Sequence, residues 1–379
     1  MTEANTPTAK IKPRPLKFVL TALVPALAGA AVGYLIAKLG ADLPFITERM
    51  RSLGAWDLLA LLPALLLVIA VHEVGHLIGG MSRGMRFMLL IVGPFHLSRS
   101  ERGVRFEWLW NWATLGGLAA CLPKPGAALQ PQLLRLIAGG PLASLLLGAT
   151  ALSLAALSSD RLSAYALLIG GFSLLIFIVT ALPMRAGGFM SDGAQFLEVR
   201  RGGRAVEERQ RLTLLMGQSL SGARPAELDP ELIEQALDPD VKEPMRRLAA
   251  LYFALVHAID RDQQARATEL AEQLGAGLSD YPAGFRQAMA VELVLFHALY
   301  RHDLDAALAF HAHGRGGIVD PARRALAEGA LAALQGDPSA ALRCIEKARR
   351  SLAKSSDRGL RLFTADQLAQ LQSQLASAT

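Results

Sequence analysis

The sequence predicts a mostly α protein: a polytopic membrane portion with about four transmembrane helices and a small β-hairpin, then a soluble α-helical repeat domain. Three observations predict it. Residues 18–37, 57–80, 133–157 and 162–184 are apolar stretches long enough to cross a bilayer. The hydrophobic content of 52% is high for a soluble chain and low for a wholly embedded one, so a membrane part joined to a soluble part fits best. Near the C-terminus a segment recurs at a spacing of 34 residues, the mark of stacked helical hairpins.

The charge divides along the same line. Residues 1–199 carry 16 Lys and Arg against 10 Asp and Glu, and residues 200–379 carry 23 against 23. The whole basic excess therefore belongs to the apolar half, where flanking Lys and Arg orient membrane helices. A nucleic-acid partner finds no support, because the soluble half is neutral. Cys121 and Cys344 lie far apart, which predicts a reducing compartment and no disulfide framework. The first apolar run is too long for the core of a signal peptide, so none is expected.

In chain order, residues 1–16 read as a disordered basic tail with Lys10, Lys12 and Arg14. The membrane domain is expected over 17–199, beginning with the span 18–37. Residues 40–56 form an outer loop, and the span 57–80 returns inward. Residues 81–107 hold Arg83, Arg86, Arg99, Arg102 and Arg105; the apolar run Phe87–Val92, a Gly93-Pro94 break and alternating residues over Val104–Trp108 predict a β-hairpin. Trp108, Trp110 and Trp112 suit a membrane interface, and the apolar piece ending at Leu122 is too short to span. The spans 133–157 and 162–184 follow. Only Lys38, Arg49, Arg51 and Arg161 fall on the outer side, so both termini are expected in the cytoplasm and the protein in a bacterial inner membrane.

Residues 200–245 read as a linker with short helices, and 246–379 as the repeat domain. There Arg301–Leu308 aligns without gaps on Gln335–Leu342, setting Asp303 against Asp337. The period is that of tetratricopeptide repeats, although most of the large aromatic positions of that consensus are missing. The domain is expected to bind a protein partner.

The chemistry concentrates in Val71-His72-Glu73-Val74-Gly75-His76. An HExxH pattern on a helix puts two imidazoles one turn apart on one face, as two ligands of a zinc ion, with a glutamate to act on the metal-bound water. Ionisable groups in so apolar a run are costly and point to function. A third ligand must come from elsewhere, and Asp192 in Ser191-Asp192-Gly193 is the candidate, just beyond the last span on the same side. The plainer readings are packed core histidines for His72 and His76, and a helix N-cap for Asp192.

These residues carry a family resemblance. HEVGH near the end of a span, Ala138-Gly139-Gly140-Pro141-Leu142-Ala143 in the next, and Ser191-Asp192-Gly193 after the last resemble the site-2 protease family over about residues 15–200. The resemblance implies a zinc endopeptidase cutting within transmembrane segments, with His72, His76 and Asp192 as ligands and Glu73 as the base. It implies that Gly93 and Pro94 of the hairpin, and Gly140, Pro141 and Ser144 of the small-residue motif, handle substrate. It also implies single-pass membrane proteins as substrates, such as an anti-sigma factor or another membrane-held regulator. Ser144 replaces a frequent Asn of the family, and Thr180-Ala181-Leu182-Pro183 replaces Asn-x-x-Pro with a longer gap to Asp192; both bear on substrate handling more than on metal binding. The alternative from another class is an inactive, membrane-anchored scaffold built around the repeats.

Overall fold

The computed structural model describes residues 54–378 apart from 101–102, 109–116, 125, 159–160, 187–188, 242, 282, 315–318, 354 and 356. The expected tail, the span 18–37 and Trp110 and Trp112 lie outside the described residues.

After a 3-10 turn over Ala55–Ala60 comes α1, Leu61–Met81. A four-stranded sheet follows, with β1 Arg86–Val92, β2 Phe95–Ser100, β3 Gly103–Trp108 and β4 Leu118–Leu122. Then come α2, Leu129–Leu157, and α3, Arg161–Ala181. These three helices have mean hydropathies of 2.0, 1.7 and 2.3 and are long and apolar enough to cross a membrane. At about 1.5 Å rise per residue, even the 21-residue helices reach about 31 Å, the thickness of a hydrocarbon core.

The packing of α1 is inverted relative to a soluble helix. Leu59 just before it, and Leu62, Leu67 and Ile78 on it, are exposed, whereas His72, Glu73 and Gly75 are buried. Apolar side chains facing outward and polar ones inward suit lipid on one side and a protein cavity on the other. Without a hydrophobic drive between helices in lipid, close approach depends on small residues. A Cβ on Gly75 would strike the Gly139 carbonyl of α2, and one on Gly79 the carbonyl of Arg135. Gly148 of α2 meets Leu174 of α3, and Gly170 of α3 meets Leu152 of α2. Replacing Gly75 by Ala is expected to destabilise the protein by about 1–3 kcal/mol, because backbone is in the way rather than a mobile side chain. Gly171→Ala, where nothing lies within 4 Å, is the control. Thermal unfolding in detergent checks this; equal midpoints for the two variants would refute tight packing at Gly75.

The two runs expected to form a hairpin, Phe87–Val92 and Val104–Trp108, lie on β1 and β3, which do not pair with each other because β2 comes between them. β2 and β3 pair over Phe95↔Trp108 to Ser100↔Gly103, and β1 pairs with β2 through the Gly93-Pro94 turn, where Gly93 has φ 54°. The short apolar piece ending at Leu122 is β4, which pairs antiparallel with the other edge of β1 from Arg86↔Leu122 to Ile91↔Leu118. The sheet order is thus β3-β2-β1-β4, and β4 is an edge. Val104, Phe106 and Trp108 point outward on β3, each about three-fifths exposed, and Trp108 meets Phe95 edge-on. Such an apolar stripe suits lipid.

At the far end of the helices, the Asp57 carboxylate accepts hydrogen bonds from the Gly54 amide at 2.6 Å, from Arg161 at 2.6 Å and from the Tyr165 hydroxyl. It joins the start of α1 to the start of α3.

Beyond α3 a two-stranded hairpin, β5 Arg185–Ala186 and β6 Phe189–Met190, leads into α4, Asp192–Arg201. The stretch 200–245 differs from the expected linker. It holds the 18-residue α5, Arg204–Ser221, and the short α6, Pro230–Ala236, and both contribute to a core in which Leu215 and Ile233 are buried. The helices α7 Pro244–Asp260, α8 Gln264–Ala276, α9 Ala283–Phe296, α10 Leu304–His311, α11 Pro321–Leu334, α12 Pro338–Leu352 and α13 Arg358–Ala378 complete the chain. Packing joins α7 to α8, α9 to α10 and α11 to α12. The repeated turn has repeated geometry. Asp303 and Asp337 both cap the following helix, accepting from the amides of Ala306 at 3.0 Å and Ala340 at 2.8 Å. Each follows a left-handed residue, His302 at φ 50° and Gly336 at φ 78°.

Candidate metal centre

Three elements far apart in sequence supply the site. On α1, His72 and His76 are one turn apart and share a face. The edge of α2 behind them is kept clear by Gly140, where a Cβ would overlap both imidazoles. From the other side α4 brings Asp192. Ser191, not Asp192, is the N-cap of α4, its Oγ accepting from the Ala194 amide at 3.3 Å. That corrects the local reading of Asp192 and leaves its carboxylate available. The long gap between Thr180 and Asp192 is taken up by the β5–β6 hairpin, and Gly193 sits so close to Ala181 that a Cβ would strike its carbonyl.

His72 Nε2 and His76 Nε2 lie 3.1 Å apart, and Asp192 Oδ2 lies 3.2 Å and 3.5 Å from them. Ligands on a tetrahedral zinc, with bonds of about 2.0–2.1 Å, stand about 3.3 Å from one another, so the triangle has the right size. The far sides of the rings are also spoken for. His76 Nδ1 donates to the Leu136 carbonyl at 2.8 Å, which leaves Nε2 as a bare lone pair, and His72 Nδ1 bonds Ser144 Oγ at 2.9 Å. Ser144 is fully buried, and its own carbonyl accepts from Ser173 at 2.8 Å. With Asp192 and Glu73 ionised, the site carries two negative charges, which a divalent cation cancels. The donor set fits zinc.

Glu73 is buried beside the triangle and faces the same cavity as Ala119 of β4. Gly117, at φ +81°, presses against its carboxylate, and a Cβ there would overlap Oε1. A cavity of about 610 Å³ opens onto His72, Glu73, His76 and Asp192. Its walls include Leu118 and Ala119 of β4, Ile176 and Thr180 of α3, and Gln195 of α4. The other candidates for substrate contact do not line it: Gly93 and Pro94 form the β1–β2 turn, Gly140 and Pro141 lie within α2, and Ser144 faces His72. Leu136, Gly117, Ala119 and Gln195 carry no sequence signal; their places follow from helix crossing and strand pairing.

The helix bearing Asp192 is anchored from behind. Glu198 of α4 accepts two hydrogen bonds from Arg246 of α7, both 3.0 Å, and lies 3.5 Å from Arg209 of α5. Burial works against its charge, and the Arg246 guanidinium outweighs that, holding the carboxyl below the usual glutamate value.

A histidine pair, a carboxylate and a neighbouring glutamate thus surround one cavity among helices apolar enough to cross a membrane, a donor set of the kind a metallopeptidase uses. The family model described as Peptidase family M50 matches residues 60–358, and the chain belongs to that family, the site-2 proteases. No curated protein and no solved structure matches the chain.

Proposed function

We propose that this protein is a zinc endopeptidase that cuts single-pass membrane proteins within their transmembrane segments. The observation that carries the reading is the convergence of His72, His76 and Asp192, with Glu73 beside them, on a cavity walled by membrane-length helices. Bound zinc would acidify a water and polarise the scissile carbonyl. Glu73, whose carboxylate borders the same cavity, would serve as the base that takes a proton from the attacking water and passes it to the leaving amine. The peptide must reach the site unwound, since a helix shields its own carbonyls. The edge strand β4 borders the cavity and offers an extended segment a partner.

We place the site near the cytoplasmic face of a bacterial inner membrane, with both termini in the cytoplasm, an orientation that the distribution of Lys and Arg supports. Suitable substrates are anti-sigma factors or other membrane-held regulators. The helices from α7 onward act as a tetratricopeptide-like array that recruits substrate or a regulator, which the recurring Asp303 and Asp337 turns support. The test compares membrane proteomes of cells carrying the parent or Glu73→Gln. A single-pass protein is expected to accumulate intact in the variant, with its cytoplasmic fragment lost. An unchanged proteome, with partners still co-purifying through residues 246–379, would establish the scaffold instead.

A further inference from the structure

A second cavity, of about 360 Å³, lies between α4, α5, α7 and α9. It shares two wall residues, Met190 and Gln195, with the cavity that holds the metal ligands. The partition between them is slight. Gln195 Nε2 donates to the Met190 carbonyl at 3.1 Å, and its Oε1 accepts from Arg209 at 3.2 Å. A polypeptide lying in the catalytic cavity and continuing toward the helical array would have to pass Gln195 to enter this space.

The wall defines what fits there. Its charged groups pair mainly with protein: Arg246 with Glu198, Arg209 with Gln195 and Glu198, and the Glu243 carboxylate with the Met245 and Arg246 amides at 3.3 and 2.7 Å, while the Nε atoms of Arg209 and Arg246 make no hydrogen bond. Most of the rest of the wall is apolar: Leu212, Met216, Met245, Ala249, Phe253 and Phe285. Methionines repack around different apolar shapes, and aromatic rings give a flat apolar wall.

We infer that this second cavity is a specificity subsite, which receives a large apolar side chain of the substrate beside the scissile bond, on the side facing the helical array. The inference rests on the peptidase reading and deepens it. It gives α5, α7 and α9 a share in choosing the cut. A substrate with Phe or Leu at that place is held by apolar contact, whereas one with Asp gains no such contact and has to compete with Glu198 for Arg209 and Arg246.

The test uses the full-length chain and a pair of single-pass reporters. Each has a segment of about 20 Leu and Ala residues, broken by Gly-Asn and continued on the array side by a flank bearing Phe or Asp. A photo-crosslinking residue is placed at Val179, on the catalytic cavity, or at Ala249, on the second cavity, in the Glu73→Gln background. Both reporters should crosslink at 179, and the Phe reporter at least about tenfold more than the Asp reporter at 249. With Glu73 restored, the parent should cut the Phe reporter about tenfold or more better in kcat/KM, and Ala249→Phe, which fills the cavity, should bring that ratio near one. Crosslinking at 179 with none at 249, or a ratio that survives Ala249→Phe, overturns the subsite and leaves the peptidase reading standing. Crosslinking at neither position overturns both.

Discussion

Asp192→Ala is expected to weaken zinc binding by well over 100-fold, so that the purified variant holds far less than one zinc per chain. The expectation follows from the triangle. Asp192 Oδ2 is 3.2 Å and 3.5 Å from the two histidine nitrogens, and no other carboxylate completes the group among the described residues. Losing it leaves two imidazoles, which cannot close a three-ligand catalytic site. Ser144→Ala sets the scale from below. It removes only the hydrogen bond that orients His72, and losses of that kind cost about 10–100-fold in metal affinity. The order of chelator competition should therefore be parent, then Ser144→Ala, then Asp192→Ala. An Asp192→Ala protein that keeps a full zinc complement would remove Asp192 from the ligand set and return it to a role in α4 alone.

What the sequence could and could not reveal has a physical pattern. The histidines and Glu73 are legible because their geometry is local: one helical turn sets it, and the apolar run around them makes their charge conspicuous. Asp192 is a candidate in the sequence because Ser191-Asp192-Gly193 lies just beyond the last apolar run, although only the structure shows Ser191 taking the capping role. The turns at Asp303 and Asp337 are legible because the cap recurs with its neighbours. β4 is not legible. Its five residues carry no period, and what makes them a strand is pairing with β1, about thirty residues earlier. Gly117 and Ala119 reach Glu73 only through that pairing. α5 is hidden for a different reason. Its first half is crowded with Arg and Glu, so it resembles a solvated linker, yet Glu208 is buried against Arg246 while Leu215 enters the core. Burial by ion pairing leaves no apolar stripe to read.

The same effect at larger scale makes Arg323 the most sensitive residue of the helical array. Arg323 on α11 is 3% exposed and Glu292 on α9 is 7% exposed. Their side chains are joined twice, through Nε to Oε1 at 3.0 Å and through Nη2 to Oε2. Nη1 turns to α13, donating to Thr364 at 3.3 Å and to Gln367, whose amide in turn donates to the Tyr300 hydroxyl at 2.9 Å. The guanidinium also lies 5.5 Å from the centre of the Phe363 ring. Three helices thus meet on one cation. Arg323→Ala strands the Glu292 carboxylate in an apolar core and is expected to destabilise the array by about 3–5 kcal/mol. Glu292→Ala should cost a similar amount by stranding the cation. Joint replacement by Glu292→Met and Arg323→Met removes both charges and keeps volume, so most of that stability should return. Urea unfolding of the full chain, followed by helical circular dichroism, completes the cycle. Single variants that unfold with the parent, or a double variant worse than either single, would show that the pair contributes through packing alone. The consequence reaches the metal centre, because the same array carries α7, and α7 carries Arg246. If loosening spreads from α9 and α11 to α7, the Arg246–Glu198 contact behind Asp192 should weaken as well, and zinc content of Arg323→Ala beside the parent measures it.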